Sequence, residues 1–325
     1  MGDALFLGVD GGGTKTCFVV IAADGTERAR HTAATAYHLQ IGVDGLRARL
    51  EEGVARVLRD AGAERAAVTH AFFGLPAYGE DNRIERALDA MPRSILGHDR
   101  YGVGNDMICG WAGGLAGADG IGIVAGTGSI GYGERRGRAV RAGGWGELFS
   151  DEGSAHWIAR RMLNLFSRQS DGRLPRGPLY DIVRAHFDLA DDLDLCGAVL
   201  TGDAAARDRI AALSPLAREA ADRGDAAAIA LFDQAVDELV AIAEAIRRPL
   251  EYARGEPVPL SYSGGVFRAG ERVLARFAER LAAAWPDYRL QAPIHDPAVG
   301  AALYAQRLAA AACRNDRPAP IAAMR

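Results

Sequence analysis

The chain has almost no lysine: of its 38 basic residues only Lys15 is not arginine. A compact ammonium suits a crowded anion loop better than a planar guanidinium, although a plain bias towards arginine gives the same count. Cysteine is also scarce. Cys17, Cys109, Cys196 and Cys313 are widely spaced with no C-x-x-C pair, which excludes a zinc or iron–sulfur site of the usual spacing and a disulfide framework. No apolar run approaches the roughly 18 residues of a membrane span, and no basic n-region precedes a cleavage pattern. The expectation is therefore a cytoplasmic protein with no membrane partner. Excess positive charge is missing too: a net charge of −4 and a pI of about 6.0 disfavour nucleic acid as a partner. At 325 residues the chain exceeds the size at which one core stops growing, so two domains are expected.

What is abundant is glycine, and it is placed with order. Leu5 to Asp10 is an apolar run, Gly11-Gly12-Gly13-Thr14-Lys15-Thr16 a Gly/Thr turn, and Cys17 to Ala22 a second apolar run, which reads as strand, tight loop, strand. Glycines let backbone N–H groups surround an anion, threonines add hydroxyl donors, and Asp10 at the strand end is suited to hold a divalent cation through water. A P-loop is excluded because Gly8 and Gly13 are followed by Thr14, with Lys15 one place late. A dinucleotide fingerprint is excluded because strand, not helix, follows the glycines. A ligand-free glycine-rich hairpin fits the same residues.

Further along, a third strand is expected at 26–33, a helix at 43–61, a strand at 68–73, a helix at 81–91 ended by Pro92, and a helix at 107–117. The opening then recurs: Gly120 to Ala125, the turn Gly126-Thr127-Gly128-Ser129, and Ile130 to Gly133. Two copies of the same turn at domain distance suggest two similar halves facing one ligand. A helix runs to about Phe166, residues 172–260 are mostly helical with a long amphipathic helix at 233–254, a strand at 260–263 enters Gly264-Gly265, and helices follow at 270–284 and 297–312. The tail from Arg314 is polar and expected to be disordered.

Three Gly-rich turns, Asp10 to Thr16, Gly126 to Ser129 and Ser263 to Phe267, resemble the two phosphate motifs and the adenosine motif of the actin and sugar-kinase ATPase superfamily. Within it the chain is similar to the BadF/BadG/BcrA/BcrD-type ATPases, especially the N-acetylglucosamine kinase group. The specific marks are Asn105-Asp106, the block from Gly144-Trp145-Gly146 to Asp151-Glu152-Gly153-Ser154-Ala155, and Asp296-Pro297-Ala298-Val299-Gly300. The resemblance implies an α/β fold of two actin-like (ribonuclease H-like) domains with mixed sheets flanked by helices. Their spans would be 1–117 and 118–296, with a helical insertion at about 172–255 and the last helix returning to the first domain. It also implies ATP and Mg²⁺ with an amino sugar in the interdomain cleft, and a homodimer. Asp106 would be the base, and Asn105 would bind the substrate beside it. Gly11 to Thr16, Gly126 to Ser129, Gly264 and Gly265 would hold the nucleotide. Gly144, Trp145, Gly146, Asp151, Ala155 and Thr127 would face the sugar. Where the family often has an Asn that contacts the substrate, Tyr37 and His38 stand here, and these two are expected among the substrate-binding residues.

Other roles fit the same residues. Asp106 and Asp151 each precede a helix, where Asp is a common N-cap. Trp145 fits either a core or a ring exposed by flanking glycines for stacking on a sugar. Arg135, Arg136, Arg138 and Arg141 are expected to form a solvated hairpin edge, and the histidines, with no metal spacing, to be structural or surface residues. The activity implied is transfer of the ATP γ-phosphate to the 6-hydroxyl of N-acetylglucosamine. Its rivals are a glucosamine kinase, an ATPase activator of a dehydratase, which would need clustered cysteines, and a non-catalytic sugar sensor.

Overall fold

The computed structural model describes residues 4–269 and 271–313; the expected disordered tail lies outside them. The first half forms β1 (Leu5–Gly11), β2 (Lys15–Ala22), β3 (Glu27–Ala34), α1 (His38–Asp60), β4 (Val68–Leu75), α2 (Asn82–Leu96), β5 (Tyr101–Asn105) and α3 (Met107–Gly114). The second begins with β6 (Gly120–Ala125), β7 (Ser129–Arg135) and β8 (Arg138–Gly143). Helices α4 (Ala155–Ser170), α5 (Pro178–Phe187), α6 (Asp194–Leu200), α7 (Arg207–Ala211), α8 (Ser214–Asp222) and α9 (Ala226–Arg247) come next. The chain then closes with β9 (Val258–Ser263), α10 (Glu271–Ala284), β10 (Tyr288–Gln291) and α11 (Pro297–Cys313).

The two sheets repeat one topology. Their orders are β3-β2-β1-β4-β5 and β10-β9-β6-β7-β8. In each, the first three strands are antiparallel and the last two join in parallel after helical crossovers. The α/β fold of two mixed sheets flanked by helices is thus the observed architecture. Parallel strands need both faces covered, and β1 shows it: Leu7 and Val9 pack under Leu46, Leu50 and Val54 of α1. On the opposite face Phe6 joins Val19, Ile21 and the helices α3 and α11. Each such buried side chain contributes about 1.5–3 kcal/mol.

Helix α11 sits almost in contact with the β1 backbone. A Cβ on Gly8 would overlap the main chain of Ala302, and one on Gly300 would overlap that of α3 at Cys109 and Gly113. Its Tyr304 donates to Glu134 Oε1 of β7 (2.6 Å), and Arg307 pairs with the same carboxylate (3.1 Å). One helix therefore grips the first sheet with small residues and the second with polar ones.

Several expected elements differ. Pro92 lies inside α2, which runs on to Leu96 and stops at Gly97 (φ 77°). The proline removes one helical hydrogen bond, but the buried face of Leu88 and Met91 continues beyond it through Ile95 and Leu96. Helix α3 ends at Gly114. The long helix α9 begins at Ala226, capped by Asp225, whose Oδ1 accepts from Ala227 and Ala228. Helix α1 takes its first turn at His38 and kinks at Gly42 (φ 71°, ψ 169°). Strand β10, only four residues, carried no pattern long enough to read. Arg135 is not at a solvated edge. It is buried, pairs with Glu256 (2.5 Å), donates to the carbonyls of Leu250 and Glu251, and lies over the Tyr252 ring.

Candidate active site

A cleft of about 1010 Å³ opens between the two sheets. On one side it is lined by Gly13, Tyr37, Glu80, Asn105 and Asp106, on the other by Gly128, Ser129, Arg141, Gly144, Trp145, Gly146, Glu147, Asp151 and Arg207.

The first Gly turn is short, because β1 and β2 run on to Gly11 and from Lys15. Gly12 N–H donates to the Lys15 carbonyl (2.8 Å), and Thr35 Oγ1 donates to the Gly12 carbonyl (2.8 Å). That second bond ties the turn to the segment bearing Tyr37. Gly13, Thr14 and Lys15 are exposed, as a phosphate cradle requires. Thr16, one step along β2, is fully buried with its hydroxyl unpartnered, so its side chain is not at the turn surface. His38 is turned inward likewise: it is buried, its Nδ1 has no partner, and burial lowers its pKa. Tyr37 alone of that pair lines the cleft.

The second turn is better anchored. Gly126 N–H donates to the Gly128 carbonyl (2.9 Å), Ala155 N–H to Gly126 O (2.9 Å) and His156 N–H to Thr127 O (3.3 Å). Ser129 Oγ donates to the Glu152 carbonyl (2.6 Å). The start of α4 is thereby bolted to the turn, and Ala155 acts through its backbone rather than as a cleft-lining side chain. Gly264 (φ 104°) follows β9 so closely that a Cβ would overlap Ala125 O, and Gly265 beside it is open. Asp10, Gly11, Gly12, Thr14, Lys15, Thr16, Gly126, Thr127, Gly264 and Gly265 are not among the cleft-lining residues; they lie in the Gly turns and the strand ends that flank them.

Asp106 stands at the junction of β5 and α3, at the N-cap position, but its side chain makes no capping hydrogen bond. Asn105 does that work, its Oδ1 accepting from Met107 N–H (3.1 Å) while its Nδ2 donates to the Tyr78 carbonyl (3.2 Å). The Asp106 carboxylate is left to the cleft. Burial, then the charges of Asp10 and Glu80, raise its pKa from 3.8 to about 7. Asp10 is raised to about 6 by burial and by Asp296, against the opposing effects of the Cys109 thiol and Lys15. Asp151 is not a cap either, since Ser154 Oγ accepts from Trp157 N–H (3.1 Å). Its own backbone is left-handed (φ 62°) and its buried carboxylate accepts from Arg207 Nη2 (2.5 Å) and Ser129 N–H (3.4 Å). Trp145 is 73% exposed, which resolves its two readings in favour of the open ring.

Glu80 and Arg207 were not singled out from the sequence, and Arg141, expected at a solvated hairpin edge, lines the cleft instead. Glu80 and Arg207 belong to no motif; Arg141 precedes the Gly143-Gly144-Trp145-Gly146 block by two positions, the one signal that could have found it. Among the described residues no cluster of three His, Cys, Asp or Glu is arranged to hold a metal, and no helix is long and apolar enough to cross a membrane.

Paired sheets of one topology, a Gly turn from each beside the cleft and an unpaired carboxylate between them define a nucleotide-dependent enzyme of the actin-like class. The model of the BadF/BadG/BcrA/BcrD ATPase family matches residues 7–305, and the chain belongs to that family, which makes ATP the nucleotide. It is 29% identical over 314 residues to N-acetyl-D-glucosamine kinase of Dictyostelium discoideum, covering 94% of this chain and 98% of that protein. It is 26% identical over 322 residues to N-acetylmuramic acid/N-acetylglucosamine kinase of Clostridium acetobutylicum, covering 92% and 97%. A crystal structure from Chromobacterium violaceum, provisionally assigned as an N-acetylglucosamine kinase, superposes with a TM-score of 0.69 at 28% identity, covering 94% and 99%. A ROK-family glucokinase from Streptomyces griseus shares the fold, with a TM-score of 0.55 at 22% identity over 94% and 100%.

Proposed function

We propose that this protein is an ATP-dependent amino-sugar kinase that transfers the γ-phosphoryl group to the 6-hydroxyl of N-acetylglucosamine. The observation that carries the reading is Asp106: a carboxylate freed from capping by Asn105, lining the cleft, and held near neutral pH where a general base works best. The similarity to two kinases that take N-acetylglucosamine over more than nine-tenths of the chain supports the substrate.

In this reading residues 1–117 and 118–296 are two domains, and the sugar lies between Asp106 and the wall of Gly144, Trp145 and Asp151. Asp106 accepts the proton of the sugar O6, the O6–Pγ bond forms as the bond from Pγ to the β,γ-bridging oxygen breaks, and ADP leaves. The N–H groups of the turns at 11–16 and 126–129 hold the phosphates in line, and Lys15 adds charge. Such chemistry is mostly alignment and charge stabilisation. The donor set fits Mg²⁺, which keeps several waters and takes one or two carboxylates plus phosphate oxygens, and Asp10 would hold it. When bound, that ion neutralises charge on the phosphates.

A second reading, glucosamine kinase, draws on Glu80: an exposed carboxylate lining the cleft with no side-chain partner among the described residues, which would suit a 2-ammonium group. A coupled assay of ADP release over N-acetylglucosamine, glucosamine, N-acetylmuramic acid and glucose decides. N-acetylglucosamine should give the highest kcat/KM. A higher value for glucosamine would move the assignment to the second reading, and no sugar-dependent ADP release would overturn both.

A further inference from the structure

The segment at 172–255 contributes one residue to the cleft lining, Arg207 at the start of α7. Its guanidinium connects three parts of the sugar-facing wall. Nη2 donates to Asp151 Oδ2 at 2.5 Å, and Nε lies 3.5 Å from Glu147 Oε2, next to Gly144-Trp145-Gly146. It also occupies the space left by the missing side chain of Gly128: a Cβ there would overlap Arg207 Nη2 and come within 2.9 Å of Asp151 Oδ2.

Asp151 needs such support. It is 2% exposed, in a left-handed backbone conformation, and its other oxygen receives only a long bond from Ser129 N–H. A buried carboxylate without a cation is strongly unfavourable. Arg207 is not what holds α7 in place. Ile210 of that helix packs with Val199 of α6 on Ala159 of α4, surrounded by Leu163, Phe187, Leu195 and Leu213. The helix is anchored by this apolar cluster, and the arginine is extended away into the cleft with its side chain 41% exposed.

We propose that Arg207 is a positioning residue for the sugar, through which the helical segment fixes Asp151 and the Trp145 loop in their binding arrangement. The assignment rests on the kinase reading above, and supplies a role for a segment whose sequence shows only alanine-rich helix. Gly128 is part of the same device: its lack of a side chain is what lets the guanidinium reach Asp151 across the second phosphate turn.

The test compares Arg207→Met, Arg207→Lys, Gly128→Ala and the double variant Arg207→Met/Gly128→Ala with wild type, measuring KM for N-acetylglucosamine, KM for ATP, kcat and thermal melting. Losing a hydrogen bond to a buried charge should raise the sugar KM about ten- to a hundredfold in Arg207→Met. ATP KM and kcat should stay within about threefold. Arg207→Lys should recover part of the loss. Gly128→Ala should raise the sugar KM similarly, and the double variant should be no worse than the poorer single, because both changes break one contact. A wild-type sugar KM in Arg207→Met overturns the proposal. So does a parallel loss in sugar KM, ATP KM and kcat with a lowered melting temperature, or multiplicative effects in the double variant. Absence of sugar turnover by wild type in the same assay overturns instead the kinase reading on which it rests. If Arg207→Met does not fold, the Lys and Gly128→Ala variants decide on the same criteria.

Discussion

The two walls of the cleft carry the same chemical group in opposite circumstances. On the first-sheet side Asp106 and Glu80, with Asp10 behind them, have no cation bonded to any of their carboxylates among the described residues; burial, with the charges of Asp10 and Glu80, pushes Asp106 up to about 7, and burial, with the charge of Asp296, pushes Asp10 up to about 6. On the second-sheet side Asp151 is more deeply enclosed, yet its carboxylate is bonded by Arg207 and Ser129. An acid bonded to a fixed cation keeps its orientation, which suits recognition of hydroxyls. An acid left among other acids binds its proton weakly enough to lose it and strongly enough to take it, which suits proton transfer near neutral pH.

The sharpest way to break that contrast is to neutralise each acid in turn. Asp106→Asn should lower kcat by about 10²–10⁴-fold, the usual share of a general base, with little change in the sugar KM. Because the side-chain bond to the first turn of α3 comes from Asn105 and not from Asp106, the variant should fold. Asp151→Asn should do the reverse, raising the sugar KM about tenfold, the size of one lost charged hydrogen bond, while retaining most of kcat. Steady-state kinetics on both proteins checks this; equal losses of kcat in the two variants would erase the distinction between the walls.

A smaller effect sharpens it through pH. If ionised Asp106 is the base, kcat/KM should rise with pH through a midpoint near 7. Glu80→Gln removes a negative neighbour that favours the protonated form, so the midpoint should move to lower pH; a pH–rate profile with an unmoved midpoint would detach Glu80 from the base. The same shifts have a cost in stability. The folded state holds protons on Asp106 and Asp10 that the unfolded chain, with values near 3.8, gives up. Their favourable contribution is therefore complete below about pH 4 and is lost as pH rises towards 6 and 7. Asp106→Asn should accordingly melt higher than wild type at pH 8, and the gap should narrow steadily as pH falls and close only below about pH 4.

The first wall was largely legible in the chain. Leu5 to Ala22 alternates between apolar strands and a Gly/Thr turn, so both strands and the exposed Gly13 to Lys15 follow from local chemistry. The repeat at Gly120 to Ser129 showed the second sheet for the same reason. What sequence hid was long-range. Nothing at Arg207 signals that it meets Asp151 across 56 positions. Arg135 looked like one of four surface arginines until Glu256 and Tyr252 were folded over it. Pro92 was misread because its local penalty is real, but buried Met91, Ile95 and Leu96 outweigh it. Thr16 and His38 fell on the wrong side because a turn's last residue and a helix's first cannot be oriented without knowing what packs behind them.

The smallest predicted effect distinguishes the two Gly turns themselves. In the second turn Gly128 has no room for a side chain, whereas a Cβ on Gly13 would meet no atom within 4 Å and its backbone is not left-handed. If the first turn holds phosphate through backbone N–H groups, Gly13→Ala preserves what matters. Its stability should change by no more than about 0.5 kcal/mol and its ATP KM by less than about threefold. Melting and nucleotide titration check both. A tenfold rise in ATP KM would mean that phosphate approaches Gly13 closely enough to collide with a methyl group, so that the first turn, like the second, depends on the space at its glycine as well as on its N–H groups.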